Sequence, residues 1–370
     1  MFTVSNIYLA SIIFGVVQVL ALLFNRRGNL AANRLLALLI GLLVLALWNV
    51  VVDFSELSAF WKTIDFNNWI TPFFWGPALY LYVTTLTSQA PLEKSNLIAH
   101  ASIGIAFFVL DMILTLLGSG DGPNQYLDYF NTVRLLAFYL QMAIYLFASL
   151  QALKIYASDI KKNYSSIESL NLSWLQRLVA IFAIILCVDM TLVVPSVLRD
   201  ESIPFFTLLM IVESVAVFTI GYFSLTHSGI LFHAEEEQVK PRYSGSPIDS
   251  QLSVDLMEKL SSVMEKSKPY LNNELRLSDL ADLIGISPYY LSQVINEQSD
   301  KNFYDFVNEY RAKHAAEILA TDDTANITKV AYESGFNNRV SFNNAFKRHM
   351  AMTPSRYRGK HNAVRSGVAK

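Results

Sequence analysis

The first 226 residues are a succession of apolar runs, each about the length of a bilayer crossing, separated by short charged connections. A hydrocarbon core accepts a helix of about 20 apolar residues, and every backbone polar group inside it has to be bonded within the segment. The runs are continuous rather than alternating, so this half of the chain is expected to be helical. Seven spans are expected, at roughly 4–24, 31–52, 67–88, 97–117, 128–152, 173–197 and 203–226. The remainder, from about residue 233, is rich in charge. The whole-chain figures of 53% hydrophobic and 16% charged residues therefore average a membrane half and a polar half.

Orientation follows from the basic residues of the connections. Arg26, Arg27 and Arg34 follow the first run, and Lys154, Lys161, Lys162 and Arg177 surround the fifth connection. The second, fourth and sixth connections carry Asp53, Glu56, Asp65, Asp121, Asp128, Asp200 and Glu201. The expected arrangement has the N-terminus outside and the C-terminal half inside. Trp48, Trp61 and Trp69 fall where an outer aromatic belt is expected. The first run lacks a basic leader and a small-residue cleavage site, so it is expected to stay as a span. The single Cys187 excludes an intrachain disulfide.

Ionisable and amide residues within apolar spans are costly. Five stand out: Asp111, Arg134, Gln141, Asp189 and Glu213. They form either a site for a small-molecule or membrane signal in the outer half of the bundle, or a set of buried pairs that hold helices together. His100 is expected at the membrane interface. Pro72 and Pro77 in the third run each remove a backbone donor, so that helix is expected to kink. Metal-ligand spacings, Gly-rich phosphate loops and nucleophile elbows are missing from the sequence. No cofactor and no enzymatic activity are expected. An intramembrane enzyme using Asp111, Asp189 or Glu213 is the remaining catalytic alternative, and a passive anchor is the plainest one.

The polar half is organised around Ile327–Arg358. Val330 and Ala331 form the apolar face of one short helix, and Gly335 turns the chain. Phe336 closes the corner, and Phe342 and Phe346 point inward from a second helix. The other face carries Asn338, Arg339, Asn343, Asn344, Lys347 and Arg348. Thr353-Pro354 supplies a cap and a first-turn proline to a last helix. From Ala325 onward nine Lys/Arg stand against one acid, Glu333, which suits a phosphate-binding surface. A second helix-turn-helix is expected over Leu277–Asn296. There Leu280, Ala281, Leu283, Ile284, Leu291, Val294 and Ile295 are inward, Gly285 turns the chain, and Ser287-Pro288 starts the next helix. Tyr289, Ser292, Gln293 and Asn296 face outward. Before it, a helix is expected with Leu252, Leu256, Leu260, Val263 and Met264 on one stripe. Between the two motifs, 302–319 reads as a helix with Phe303, Phe306, Val307, Tyr310, Ala315 and Ile318 inward.

The Gly-Phe turn, the two inward Phe, the basic helix end and the Thr-Pro pair resemble the second helix-turn-helix of the AraC/XylS family of bacterial transcription regulators. The run at 277–296 resembles the first. The Gly-Pro-x-Leu-Tyr-x-Tyr run at 76–82 resembles the seven-span sensor halves fused to some AraC-type regulators. The resemblance implies an all-α chain: a seven-helix transmembrane bundle followed by a cytoplasmic AraC-type domain with two helix-turn-helix motifs. The implied domains are 1–226 (membrane sensor), 227–250 (linker), 251–360 (DNA-binding) and 361–370 (basic tail). The implied readers of double-stranded promoter DNA are Tyr289, Ser292, Gln293, Asn296, Asn338, Arg339, Val340, Asn343, Asn344, Lys347 and Arg348. The two motifs then enter successive major grooves about 34 Å apart. The implied location is the bacterial inner membrane, with the lipid bilayer, a homodimeric copy and, for an activator, RNA polymerase as further partners. The alternative is a membrane receptor or transporter with a secondary appended DNA-binding domain. Two turns depart from the pattern, with Asp300 and Ala351 where the family often has Gly.

Overall fold

The computed structural model describes residues 4–25, 29–54, 71–88, 94–117, 125–168, 170, 172–199, 206–227, 249–322 and 324–365. Over these residues the chain is helical, with one isolated antiparallel bridge between Tyr164 and Arg276. Contacts divide it into two units. One comprises Met1–Tyr156 and Leu172–Glu235; the other comprises Ala157–Asn171 and Glu236–Lys370. The expected boundary at 226 leaves Ala157–Asn171 in the first half, whereas its contacts lie with the second unit.

The first unit contains α1 (Val4–Phe24), α2 (Leu30–Phe54), a 3-10 turn (Thr71–Phe74) leading into α3 (Trp75–Thr87), and α4 (Lys94–Leu117). It continues with α5 (Gln125–Asn163), α6 (Ser173–Arg199) and α7 (Phe206–His227). Among the described residues, three helices are long and apolar enough to cross a membrane, over Asn6–Phe24, Leu30–Trp48 and Thr132–Asn163. Leu97–Leu110, Ser173–Val188 and Ile211–Phe223 are shorter apolar helical stretches. α1 and α5 have reversed polarity. On α5, Val133, Leu136, Leu140, Ile144 and Phe147 are exposed, while Arg134 and Gln141 are buried. On α1, Ile13, Val17, Leu20 and Leu23 are exposed, and Ser11 and Gln18 are buried.

The proline-rich stretch shows why the third segment begins as it does. Pro77 has no N–H to give to the Phe73 carbonyl one turn earlier. Gln141 on α5 supplies the donor instead, with Nε2 3.3 Å from that buried carbonyl. Gly76 lets the two helices approach, because a Cβ there would stand 3.0 Å from the Tyr145 ring. Tyr145 in turn is 2.8 Å from His100 Nδ1, and Tyr80 packs against both rings. His100 is thus half-buried in an aromatic cluster. Trp61 and Trp69, the connection from 228 to 248 and the tail from 366 lie outside the described residues.

The second unit contains α8 (Ser250–Ser267), a 3-10 turn (Pro269–Leu271), α9 (Leu277–Ile284), α10 (Pro288–Ser299) and α11 (Phe303–Thr321). α12 (Ile327–Glu333), α13 (Arg339–Met350) and α14 (Pro354–Arg365) complete it. Its apolar residues form two clusters. One gathers Leu260, Met264, Leu280, Ile284, Leu291, Ile295, Phe303 and Phe306. The other gathers Ala315, Leu319, Val330, Phe336, Phe342 and Phe346. α11 contributes to both. Two inward assignments shift: Leu252 and Leu283 are exposed, at 51% and 57%. On α8 the buried stripe runs instead through Ser253, Leu260 and Met264, and Ser253 exchanges hydrogen bonds with Glu297 and Gln298. A serine that meets polar partners from α10 occupies the register given to Leu252.

The turns follow from backbone conformation. Gly285 and Gly335 have φ of 79° and 85°, and Asp300 and Ala351 adopt the same left-handed region at 53° and 57°. The turn shape is therefore kept at both positions where glycine is missing. Gly285 has open space where a Cβ would go, whereas a Cβ on Gly335 would lie 2.4 Å from the Tyr270 carbonyl oxygen. Gly285→Ala is expected to cost about 1 kcal/mol from φ alone. Gly335→Ala is expected to cost clearly more, because backbone has to move. Ala351→Gly is expected to stabilise by roughly 0.5–1 kcal/mol. Native-state hydrogen exchange of the α12 and α13 amides checks all three; equal losses for the two glycine variants would contradict this ranking.

Candidate nucleic-acid interface

Each helix-turn-helix is fixed at its helix starts by side-chain caps. Ser287 Oγ accepts from the Tyr290 N–H at 3.4 Å, and Pro288 takes the first helical position of α10. Asn326 Oδ1 accepts from the Thr328 and Lys329 N–H groups at the start of α12. Asn338 Oδ1 accepts from the Ser341 N–H at 2.8 Å at the start of α13. These bonds satisfy donors that the first helical turn leaves open. Behind α13, Phe342 contacts Phe336 and Phe346 edge-on with centroids 5.3 and 5.5 Å away, and Tyr357 of α14 packs on Phe346. This aromatic wedge sets which face of α13 is turned out.

On the outward face Arg339, Val340, Asn344 and Lys347 are exposed, and Asn343 is half-buried. Val340 is 69% exposed, so its methyl groups are available to a thymine methyl. On α10, Tyr289 and Asn296 are exposed, and Ser292 and Gln293 are half-buried. Tyr289 and Tyr290 meet edge-on at 5.7 Å. Three expected readers have partners inside the protein. Asn338 commits its oxygen to the cap, Gln293 Nε2 donates to Glu297 Oε1 at 2.7 Å, and Arg348 Nη1 pairs with Asp305 at 2.5 Å. The last pair links the end of α13 to the first turn of α11, where a carboxylate also complements the helix dipole.

The surroundings decide which cations are available. Burial alone would raise the Glu309 carboxyl, but the ammonium groups of Lys301 and Lys313 outweigh it and hold the group below its usual range. Those two lysines are thereby neutralised. Burial lowers His349, with Arg348 and Lys301 adding to the effect against the opposing pull of Glu309 and Asp305. Arg339 and Lys347, joined by exposed Arg356 and Lys360 on α14, remain as outward cations.

One residue absent from the sequence-based set organises the unit. Arg311 on α11 is 1% exposed. Its guanidinium donates to the carbonyls of Tyr270, Asn272 and Ser165 at 2.8, 2.8 and 2.9 Å, to Asn308 Oδ1 at 3.2 Å and to Ser165 Oγ at 3.0 Å. It also lies 5.8 Å from the Phe336 ring centroid. Burial pushes the group down to about 10, so it stays charged at neutral pH. The signal for it was present: Arg311 falls on the Val307–Ala315 stripe of α11, a cation placed among inward apolar positions.

In the first unit, Arg134, Gln141 and Glu213 are all buried. Gln141 is engaged by the Phe73 carbonyl, and the Arg134 guanidinium sits 5.5 Å from the Phe130 ring centroid. The side chains of Asp111 and Asp189 lie outside the described residues. Among the described residues no cluster of His, Cys, Asp or Glu is arranged to hold a metal ion.

Residues 280–360 match a family described as a helix-turn-helix domain. An uncharacterized HTH-type transcriptional regulator of Staphylococcus aureus (strain COL) is 32% identical over 108 residues, which are 29% of this chain and 14% of that protein. The HTH-type transcriptional regulator GlxA of Rhizobium meliloti (strain 1021) is 33% identical over 99 residues, 27% of this chain and 30% of its own. The chain thus covers less than a third of either relative. Among solved structures, a protein of unknown function from Listeria innocua is 30% identical, covering 31% of this chain and 99% of its own, with a TM-score of 0.25. The C-terminal domain of AraT, a response regulator from Geobacillus stearothermophilus, is 27% identical, covering 30% and 88%, with a TM-score of 0.26.

Point charges on phosphates position a reader, while base-edge contacts specify sequence. Lys347→Ala is expected to weaken binding to all DNA sequences alike and to reduce the salt slope by about one. Arg339→Ala and Asn343→Ala are expected to relax sequence preference, each costing about 1–3 kcal/mol on the preferred site and little on random DNA. Titrations on both DNA types at several salt concentrations check this; an equal loss on both for all three variants would contradict the division.

Proposed function

We propose that this chain, whose C-terminal end carries an AraC-type helix-turn-helix domain, is a membrane-embedded, sequence-specific transcription regulator. In this function α1–α7 form a seven-span sensor with the N-terminus outside. The second unit binds promoter DNA on the cytoplasmic side. The observation that carries the DNA-binding part is the exposed row Arg339, Val340, Asn344 and Lys347, set by a buried aromatic wedge on a capped helix. Tyr289, Ser292, Gln293, Asn296, Asn338, Asn343 and Arg348 complete the proposed reading surface, the last after release from Asp305.

The reversed polarity of α1 and α5 supports the membrane part. Water favours polar groups outside and apolar groups inside, and a row of five outward apolar residues beside two buried polar ones is the opposite. Hydrocarbon removes the cost of the apolar row and makes inward burial the better place for Arg134 and Gln141. The signal site is proposed around Arg134, Glu213, Asp111 and Asp189, with Gln141 holding the adjoining helix start. A signal acts here only by binding two arrangements of the bundle with different affinity.

Genome-wide DNA occupancy of the full chain in its membrane, compared with a fragment beginning near Ser244, tests this function. Discrete sites for the full chain at promoters are the expected outcome. The absence of discrete sites for both proteins, across the growth conditions sampled, would overturn it. Differences between the two maps measure what the N-terminal part contributes.

A further inference from the structure

The segment that follows the last turn of α5 belongs by its contacts to the second unit. Tyr164 forms the antiparallel bridge with Arg276, whose guanidinium lies 5.9 Å from the Tyr164 ring centroid. Ser165 is 1% exposed. Its N–H and hydroxyl both donate to the Leu275 carbonyl, at 3.2 and 2.6 Å. Its carbonyl and hydroxyl oxygens accept from Arg311 at 2.9 and 3.0 Å. Ser166 donates to the Glu168 carboxylate and accepts from Asn337 Nδ2 at 2.5 Å.

The partners of this short segment lie at three separated places. Leu275 and Arg276 immediately precede α9, the opening helix of the first helix-turn-helix. Arg311 sits on α11, which joins the two motifs. Asn337 lies in the turn before α13, next to its cap Asn338. One stretch of five residues therefore touches both motifs and their connecting helix. Removing it leaves guanidinium N–H groups of Arg311 without their Ser165 acceptors. Tyr289, Asn296, Arg339, Asn344 and Lys347 are exposed with the segment in place, so it does not cover the outward faces.

We propose that Tyr164–Glu168 is a tethered clamp which, when docked on Leu275, Arg311 and Asn337, holds the two helix-turn-helix motifs in their DNA-competent relative orientation. The segment is strung between α5 and α6, so the positions of these two helices set whether it docks. α5 is about 58 Å long at 1.5 Å per residue, well beyond the 30 Å or so of a hydrocarbon core. Its last turns, with Lys161 and Lys162, are thereby carried past the bilayer to where the clamp begins. A clamp of this kind needs no new contact with DNA. It acts because two linked readers bind far more tightly when their spacing matches the two half-sites. The inference rests on the regulator function proposed above.

The test uses the full chain in native membranes, with Cys187→Ala, Ser166→Cys and Asn337→Cys, a short bis-maleimide, and as probe the DNA fragments recovered with the wild-type chain. An intramolecular cross-link is expected, and the cross-linked protein keeps its affinity for the recovered fragments. Adding Ser165→Arg, which sets a second cation against Arg311, is expected to lower the cross-link yield. It should also weaken binding to the recovered fragments at least about tenfold, with random DNA unaffected. Three results would overturn the clamp: no cross-link without Ser165→Arg, weaker specific binding once cross-linked, or unchanged specific binding when Ser165→Arg abolishes the cross-link. The affinity of the cross-linked protein tests the clamp even where Ser165→Arg disturbs folding. A wild-type chain that recovers no discrete fragments would instead remove the regulator function, and the clamp with it.

Discussion

The second unit depends on one buried cation. A guanidinium carries five N–H donors in a fixed plane and gains nothing from burial unless acceptors meet them. Arg311 meets this condition with neutral oxygens from four places in the sequence: Ser165, Tyr270, Asn272 and its helical neighbour Asn308. Truncating such a group removes donors from the Ser165, Tyr270 and Asn272 carbonyls at once, so its effect exceeds that of any one bond. The same centre explains why Gly335 has no room for a side chain: the turn backbone lies against Tyr270 and the Arg311 Nε. Turn, connecting helix and preceding 3-10 segment are fixed together by this polar contact. The two apolar clusters on either side pack locally.

Periodicity made the helices of both halves legible, because apolar spacing and run length depend on a residue's near neighbours only. Gly285, Gly335, Ser287-Pro288 and Thr353-Pro354 were legible for the same reason: turns and caps are written within four or five residues. The register of α8 was not. Leu252 fits an apolar stripe as well as Leu256 or Leu260 does, and only the polar partners Glu297 and Gln298, 44 and 45 residues away, place Ser253 inward instead. The outward face of α13 was legible as a set of residue types on one side of the helix. The engagement of Arg348 with Asp305, 43 residues earlier, was invisible to that pattern. The Ser165–Arg311 contact spans 146 residues and joins a segment that sequence alone assigns to the other half.

Gln141 and Arg311 both bring side-chain donors to backbone carbonyls, in two different surroundings. Where a proline sits inside a helical run, the backbone carbonyl one turn earlier loses its usual donor. If that carbonyl is buried, the loss costs on the order of 1–3 kcal/mol unless another donor arrives. Pro77 leaves the Phe73 carbonyl in this position and Gln141 serves it. In the second unit the Tyr270 and Asn272 carbonyls, around the short turn Pro269–Leu271, both accept from Arg311, and Asn272 also accepts from the Leu275 N–H at 3.3 Å. A polar side chain on an apolar stripe is therefore not by itself the mark of a ligand site. The first question is which carbonyl it serves. For Gln141 the answer is within the protein, so a signal that acts at this place has to compete with the helix start that Gln141 holds. Under the proposed sensor function, such competition is the route by which a bound signal would move α3 against α5, the helix whose last residues lead into Ser165.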